Sequence, residues 1–340
     1  MQIPQGVLKA LTLLNNAGFE AYVVGGCVRD HVLKIQPNDY DICTSATPSE
    51  MQQVFSSFRT IETGLRHGTL TVMMAGEPLE ITTFRQDGEY LDNRHPKEVT
   101  FTRNLENDLS RRDFTVNAMA YHPERGLVDL FGGQEDCKNK IIRCVGDANT
   151  RFEEDALRIL RALRFAGRLQ FSIEEETKKA IFAKMHLLRR ISAERIAAEL
   201  SGLLLSSGAQ EILQEFAPVL FTVLWQLNTK EYPFSLQVLA HSEKTQPLRF
   251  AALLFPLGAE NAKAALQQLK LPNRLQEDVI SLIHFQSLPL SEENMLYALS
   301  QTGDALIFPL LSFQRAFSAA KDGQNASLYA EREKQLSEKA

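Results

Sequence analysis

The chain has 340 residues, more than one ordinary core accommodates and suited to two or three domains of roughly 100–200 residues each. Its 44% hydrophobic and 23% charged residues exclude a disordered, collagen-like or disulfide-dense chain. Net charge is −5, yet residues 138–195 hold fourteen Lys and Arg against eight Asp and Glu, so a mildly acidic average hides a basic stretch able to grip a polyanion.

No apolar run approaches the ~18–20 residues that span a bilayer. The start, MQIPQGVLKA, lacks a basic flank followed by an apolar stretch. The expectation is a soluble, cytoplasmic protein with no membrane partner. Cys27, Cys43, Cys137 and Cys144 form no C-x-x-C pair, which predicts free thiols.

In chain order, Val7, Leu8, Leu11 and Leu14 predict a helix over 6–17. Short β-rich runs follow at 21–26, 39–44, 68–75 and 79–84, the last two reading as a hairpin across Gly76-Glu77-Pro78. Residues 85–110 are polar and poorly periodic, a long loop of the functional kind. A small mixed sheet with flanking helices is expected up to about residue 150. From Arg151 strand signals fade, and helical spacing recurs through 152–168, 174–188, 192–206, 234–242, 259–270 and 274–287. The fold class is α+β. The stretch from Asp322 reads as a charged helical tail.

Asp39 and Asp41 are one residue apart, so a strand there points both carboxylates to one face. Like charges that close need a cation, and paired oxygen donors suit Mg²⁺, although D-x-D alone is also an ordinary solvated turn. Upstream, Gly25-Gly26 after a strand lets backbone N–H groups approach a phosphate, and Arg29 supplies a cation. Downstream, Glu80 occupies a strand position where a third acid could join the pair. The segment from Arg111 to Asn117 reads as the start of an amphipathic helix with a fork of guanidinium groups. Asp113 and Asn117, one helical turn apart, could there hold ribose hydroxyls. The run from Arg151 to Phe165 reads as one helix. Phe152, Ala156, Ile159, Leu160, Ala162, Leu163 and Ala166 fall on one arc, while Arg158, Arg161, Arg164 and Arg168 fall opposite. Only Glu154–Arg158 makes a clean i,i+4 ion pair on that face.

In this order and at these spacings, GGCVRD, DYD, RRDFTVNAMAY and EEDALRILRALRF resemble the bacterial class II tRNA nucleotidyltransferases, the CCA-adding enzymes. The resemblance covers roughly residues 20–170. It implies a polymerase-beta-like nucleotidyltransferase head (1–150, catalytic), a helical neck that recognises the base (151–215), and a helical body with part of a tail that binds tRNA (216–340). It assigns Mg²⁺ to Asp39 and Asp41, the triphosphate to Gly26 and Arg29, and the incoming ATP or CTP to Arg112, Asp155, Arg158, Arg161 and Arg164. An Asp and an Arg at i,i+3 can act as a protein template. The carboxylate accepts from the exocyclic amine of C or A and the guanidinium donates to the adjacent ring nitrogen, whereas U and G oppose both contacts. The family's flexible loop, required for the switch to A addition, corresponds to Arg85–Leu109 and favours full CCA addition.

Other readings predict different sequences. A bacterial poly(A) polymerase, or an enzyme adding only A, shares the head, but the polymerase adds a strongly basic tail, and AEREKQLSEKA is mixed in charge. A silent RNA-binding module predicts decayed carboxylates, yet Asp39, Asp41 and Glu80 are all present. A metal-dependent phosphohydrolase needs a His-Asp dipeptide, which none of the seven His forms. His67, His95 and His122 read as loop or core polar residues. Homodimerisation is left open.

Overall fold

The structure, a computed structural model, describes residues 1–87, 99–288, 292–302, 304–321 and 334. Two compact units emerge, Met1–Arg158 with Ser172–Lys184, and Ile159–Phe171 with Met185–Ala340.

The first unit opens with α1 (Gln5–Asn16), which buries Val7, Ala10, Leu11 and Leu14, and continues through β1 (Ala21–Val24), α2 (Gly26–Val32), β2 (Asp41–Thr44) and α3 (Pro48–Val54). Next come β3 (Thr60–Ile61) and the hairpin β4 (Thr69–Met74) and β5 (Glu77–Thr83). Along β4, Leu70, Val72 and Met74 alternate inward, the two-residue period of a half-buried strand. Then follow β6 (Arg85–Asp87), β7 (Val99–Phe101), α4 (Leu105–Ser110), β8 (Met119–His122), β9 (Gly126–Asp129) and α5 (Gly133–Asn139). The mixed sheet runs β3-β4-β5-β2-β1-β8-β9, with β2 and β5 parallel and its other neighbouring strands antiparallel. Tyr22, Val24, Cys43, Phe84, Leu109 and Ala120 pack as its core on one face.

The expected long loop is partly ordered pairing. β6 and β7 form an antiparallel ribbon and α4 follows directly, while 88–98, which include His95 and the middle of the expected flexible loop, lie outside the described residues. So does the expected charged tail from Asp322, apart from residue 334.

After β10 (Ile141–Ile142) and α6 (Ala148–Glu154), α7 (Leu157–Leu169) carries the chain into the second unit. The chain then returns as β11 (Ser172–Ile173), parallel to β10, and α8 (Glu175–Lys184). The second unit adds α9 (Ala193–Leu204), α10 (Ala209–Glu215), α11 (Ala217–Val223), α12 (Tyr232–His241), α13 (Gln246–Leu254), α14 (Gly258–Gln268), α15 (Asn273–Phe285), α16 (Glu292–Thr302) and α17 (Ile307–Lys321). Among the described residues no helix is long and apolar enough to cross a membrane. All four cysteines are free and buried.

Two expected helices differ in the structure. The 111–117 segment does not begin an amphipathic helix: α4 ends before it, Phe114 is extended and bridges to Cys144, and only a single 3-10 turn, Thr115–Asn117, follows. The 151–165 run is broken at Asp155, whose backbone is extended (φ −141°, ψ 102°). The predicted apolar arc is nonetheless buried throughout.

Candidate functional site

Pairing register gathers the acids. Val24 of β1 faces Asp41 of β2, and Asp41 faces Glu80 of β5, so one cross-section of the sheet carries the end of β1 and two carboxylates side by side. Asp39 lies just before β2, close enough to act on Asp41. Asp41 is pushed up to about 6, first by the protein packed around its carboxyl, then by repulsion from Asp39 and Glu80, with Arg112 offsetting part. Repulsion of this kind is what a cation relieves. Among the described residues no three His, Cys, Asp or Glu side chains form a closed metal-binding group. Open carboxylates fit an ion whose coordination is completed by substrate phosphates.

The chain leaves β1 through Gly25, whose φ of +81° and ψ of −131° are accessible to glycine and costly for other residues. A Cβ there would also lie 3.1 Å from Arg112 Nη1, so glycine lets this guanidinium approach the turn. The Gly25 N–H is bonded to the Met119 carbonyl at 3.1 Å, and Gly26 opens α2.

The expected phosphate cations are held in two ways. Arg29 is 2% exposed; its Nε and Nη2 donate to Asp30 Oδ1, and Nη1 donates to Asn117 Oδ1 at 2.7 Å. Asn117 Nδ2 in turn donates to Asp113 Oδ1, which also accepts the Phe114 N–H. Asp113 and Asn117 therefore do lie together, but as a buried brace under the glycine turn. Arg111 and Arg112 straddle Asp108, which is 1% exposed, with Nη2 atoms 2.7 and 3.2 Å from its two oxygens. Burial would raise the Asp108 pKa, but the two guanidinium groups hold it below the ordinary carboxylate range. Arg112 Nε is buried without a hydrogen-bond partner. A cavity of about 240 Å³ collects Arg85, Arg111 and Arg112 with Asp41, Glu80, Thr69 and Thr82. Asp108 and Arg85 were not singled out from the sequence. Asp108 sits in the polar run after the strands, where it carries no motif.

Asp155 and Arg158 do not share a regular helical turn. Asp155 Oδ1 accepts the Leu157 N–H at 3.0 Å, an Asx turn that starts α7, and its carbonyl accepts the Arg158 N–H. Arg158, 8% exposed, donates to Glu154 at 2.6 Å, the predicted pair, and to the carbonyls of Arg151 and Arg111. In the second unit, Arg161 and Arg164 both pair with Glu199 of α9. This partner lies 35 residues from Arg164, beyond any local pattern.

Residues 21–143 match the family model described as poly A polymerase head domain, and 170–217 match "Probable RNA and SrmB- binding site of polymerase A". A CCA-adding enzyme of Bacillus velezensis is 38% identical over 96% of this chain and 84% of its own, and one of a Geobacillus species is 44% identical over 85% and 72%. The crystal structure of the Bacillus stearothermophilus CCA-adding enzyme in complex with CTP superposes with a TM-score of 0.82 at 32% identity, covering 98% of this chain and 82% of that one.

Proposed function

The chain belongs to the CCA-adding enzyme family, and from that premise we propose that it adds C, C and A in turn to the 3′ end of tRNA, using CTP and ATP without a nucleic-acid template. The reaction is nucleotidyl transfer: the RNA 3′-hydroxyl attacks the NTP α-phosphorus and pyrophosphate leaves. At the site, the Val24–Asp41–Glu80 register carries this reading, because it sets a glycine turn and two carboxylates at one end of one sheet.

Asp39 and Asp41 are assigned as the Mg²⁺ ligands, with Glu80 as the third acid. With Mg²⁺ bound there, the chemistry supplied is acidification of the RNA hydroxyl and neutralisation of phosphate charge. The chain's own groups do the rest. Gly26 offers its backbone to the triphosphate. Arg29, tied to Asp30 and Asn117, with Asp113 behind it, fixes the turn that presents the phosphate site. Arg112, anchored by Asp108 beside the acids, places its charge where phosphate negative charge builds up. Asp155 and Arg158 are assigned to the base edge, and Arg161 and Arg164 to the nucleotide on the family pattern. Residues 151–215 then serve as neck and 216–340 as the helical body that binds tRNA.

The test incubates the protein with Mg²⁺, each NTP singly and then together, and tRNA lacking its CCA end, and sequences the 3′ termini. Ordered C, C, A addition is expected. Homopolymeric A tails would replace this reading with polyadenylation.

A further inference from the structure

Of His67 and His122, both expected as loop or core polar groups, only His122 is buried, 4% exposed at the end of β8. β8 pairs with β9 through His122 and Gly126, so Pro123, Glu124 and Arg125 form the turn between the strands. The turn closes on the imidazole: Nδ1 accepts the backbone N–H of Glu124 at 3.2 Å and that of Arg125 at 3.3 Å. Nε2 lies 2.9 Å from the Asn15 carboxamide of α1. Neutral imidazole accepts at one nitrogen and donates at the other. Backbone N–H groups cannot reverse, whereas a carboxamide can, so Nδ1 is the acceptor and Nε2 carries the proton toward Asn15. Arg125 reaches back to the Tyr22 hydroxyl at 2.8 Å and to Glu20 at 3.0 Å. The Tyr22 ring packs edge-on against the imidazole, centroids 5.7 Å apart.

We propose that His122 is an acid-released latch on the β8–β9 turn: the neutral ring holds the turn shut, and the protonated ring frees Glu124 and Arg125 while the sheet stays paired. A second N–H at Nδ1 would point at two N–H dipoles in a partly buried site, where an unpaired donor is costly. Of the charged groups facing the ring, Arg125 opposes the added charge, and Glu124 and Glu20 favour it. α1 and β1 present the uncharged Asn15 and Tyr22. Burial and Arg125 prevail, and the pKa lies below its ordinary 6.5. In acid the native state therefore holds fewer protons than the unfolded chain, so stability present above about pH 6.5 is lost as pH falls through the lowered value.

The test follows the His122 Cε1–H resonance and the hydrogen exchange of the Glu124 and Arg125 amides in the full chain between about pH 7.5 and 4.5, each exchange rate corrected for its intrinsic pH dependence. The ring should titrate below 6.5, and protection of both amides should fall about ten-fold per pH unit beneath its pKa. His122→Asn places a carboxamide oxygen near the Nδ1 position, an acceptor that takes no proton in this range, so protection should persist throughout. His122→Phe offers no acceptor, and both amides should exchange fast at every pH. A ring that titrates at or above 6.5, turn amides still protected after it has titrated, or a loss of protection matched in His122→Asn overturns the proposal. The first two readings come from the wild-type protein, so a variant that fails to fold does not shield it.

Discussion

Asp41 and Glu80 face each other across the parallel pair β2–β5, so backbone register, rather than a local motif, forces two carboxylates together. The raised Asp41 pKa, about 6 against an ordinary 3.8, gives a signed prediction for the metal-free protein. Between about pH 4 and 6 the native state keeps a proton that the unfolded chain has released, so stability falls as pH rises through that window and stays reduced above it. Asp41→Asn removes the penalty. Its Tm should match wild type near pH 4 and exceed it at pH 8, and Mg²⁺ should raise the wild-type Tm more than the variant's. A Tm difference independent of pH in calorimetry would contradict the assigned repulsion.

Asp39→Ala or Asp41→Ala should abolish addition of both C and A while the protein stays folded, because both nucleotides share one chemical step and the substitution also relieves repulsion. Single-turnover transfer of each nucleotide, read beside circular dichroism, checks this. Retained C addition in either variant would sink the metal assignment.

Asp108 holds Arg111 and Arg112 at once. Asp108→Asn leaves two guanidinium groups without their shared counter-charge and should cost about 3 kcal/mol of stability, as breaking a buried pair does. Arg112 would also lose its anchor, so the KM for CTP and ATP should rise together. Urea melts combined with nucleotide titration measure both effects, and a stability loss with unchanged KM would make Asp108 a folding residue alone.

In the second unit, a Cβ added at Gly202 would sit 2.5 Å from Arg164 Cδ. Gly202→Ala should therefore push Arg164 off Glu199 at a cost of about 1–3 kcal/mol. If Arg164 serves nucleotide binding, the KM for NTP rises as well. An unaltered KM would confine the Arg164–Glu199 pair to holding α7 against α9.

What the sequence disclosed depends on how local each cause is. The alternation in β4 and the turn at Gly76-Glu77-Pro78 made the hairpin legible, and D-x-D with Glu80 located the acids before register was known. Helix α13 escaped because Leu248 to Leu254 are all buried, so it lacks the polar face that reveals a helix period. The two-residue pair β10–β11 is too short for alternation to register. The break at Asp155 was hidden because apolar spacing continues across it, and a single Asx turn leaves that spacing intact. Arg29 and Asn117, 88 residues apart, looked like separate ligand-facing groups because only the fold joins them.

That break makes base selection a sharper test. Asp155 has a structural duty, accepting the Leu157 N–H, besides the proposed one of accepting from the amine of C or A. Asp155→Ala loses both, so a fall in rate alone would be ambiguous. Asp155→Asn retains an oxygen for the Asx turn but gives the base edge an amide that can donate to the keto oxygen of U, so α7 should stay intact while fidelity falls. Arg158→Ala removes the donor that opposes the ring N–H of U, and frees Glu154 and the Arg111 carbonyl from the bonds they now share with it. A hydrogen bond to a charged group is worth roughly 1.5–3 kcal/mol, so misincorporation of U against C should rise about ten- to a hundred-fold per substitution. Because both side chains would contact one base, the double variant should lose less discrimination than the sum of the singles. The measurement is single-nucleotide incorporation of CTP, ATP, UTP and GTP on one tRNA acceptor. If Asp155→Asn and Arg158→Ala slow all four nucleotides equally and leave the C-to-U preference untouched, these residues only shape the entry to α7, and base choice lies elsewhere.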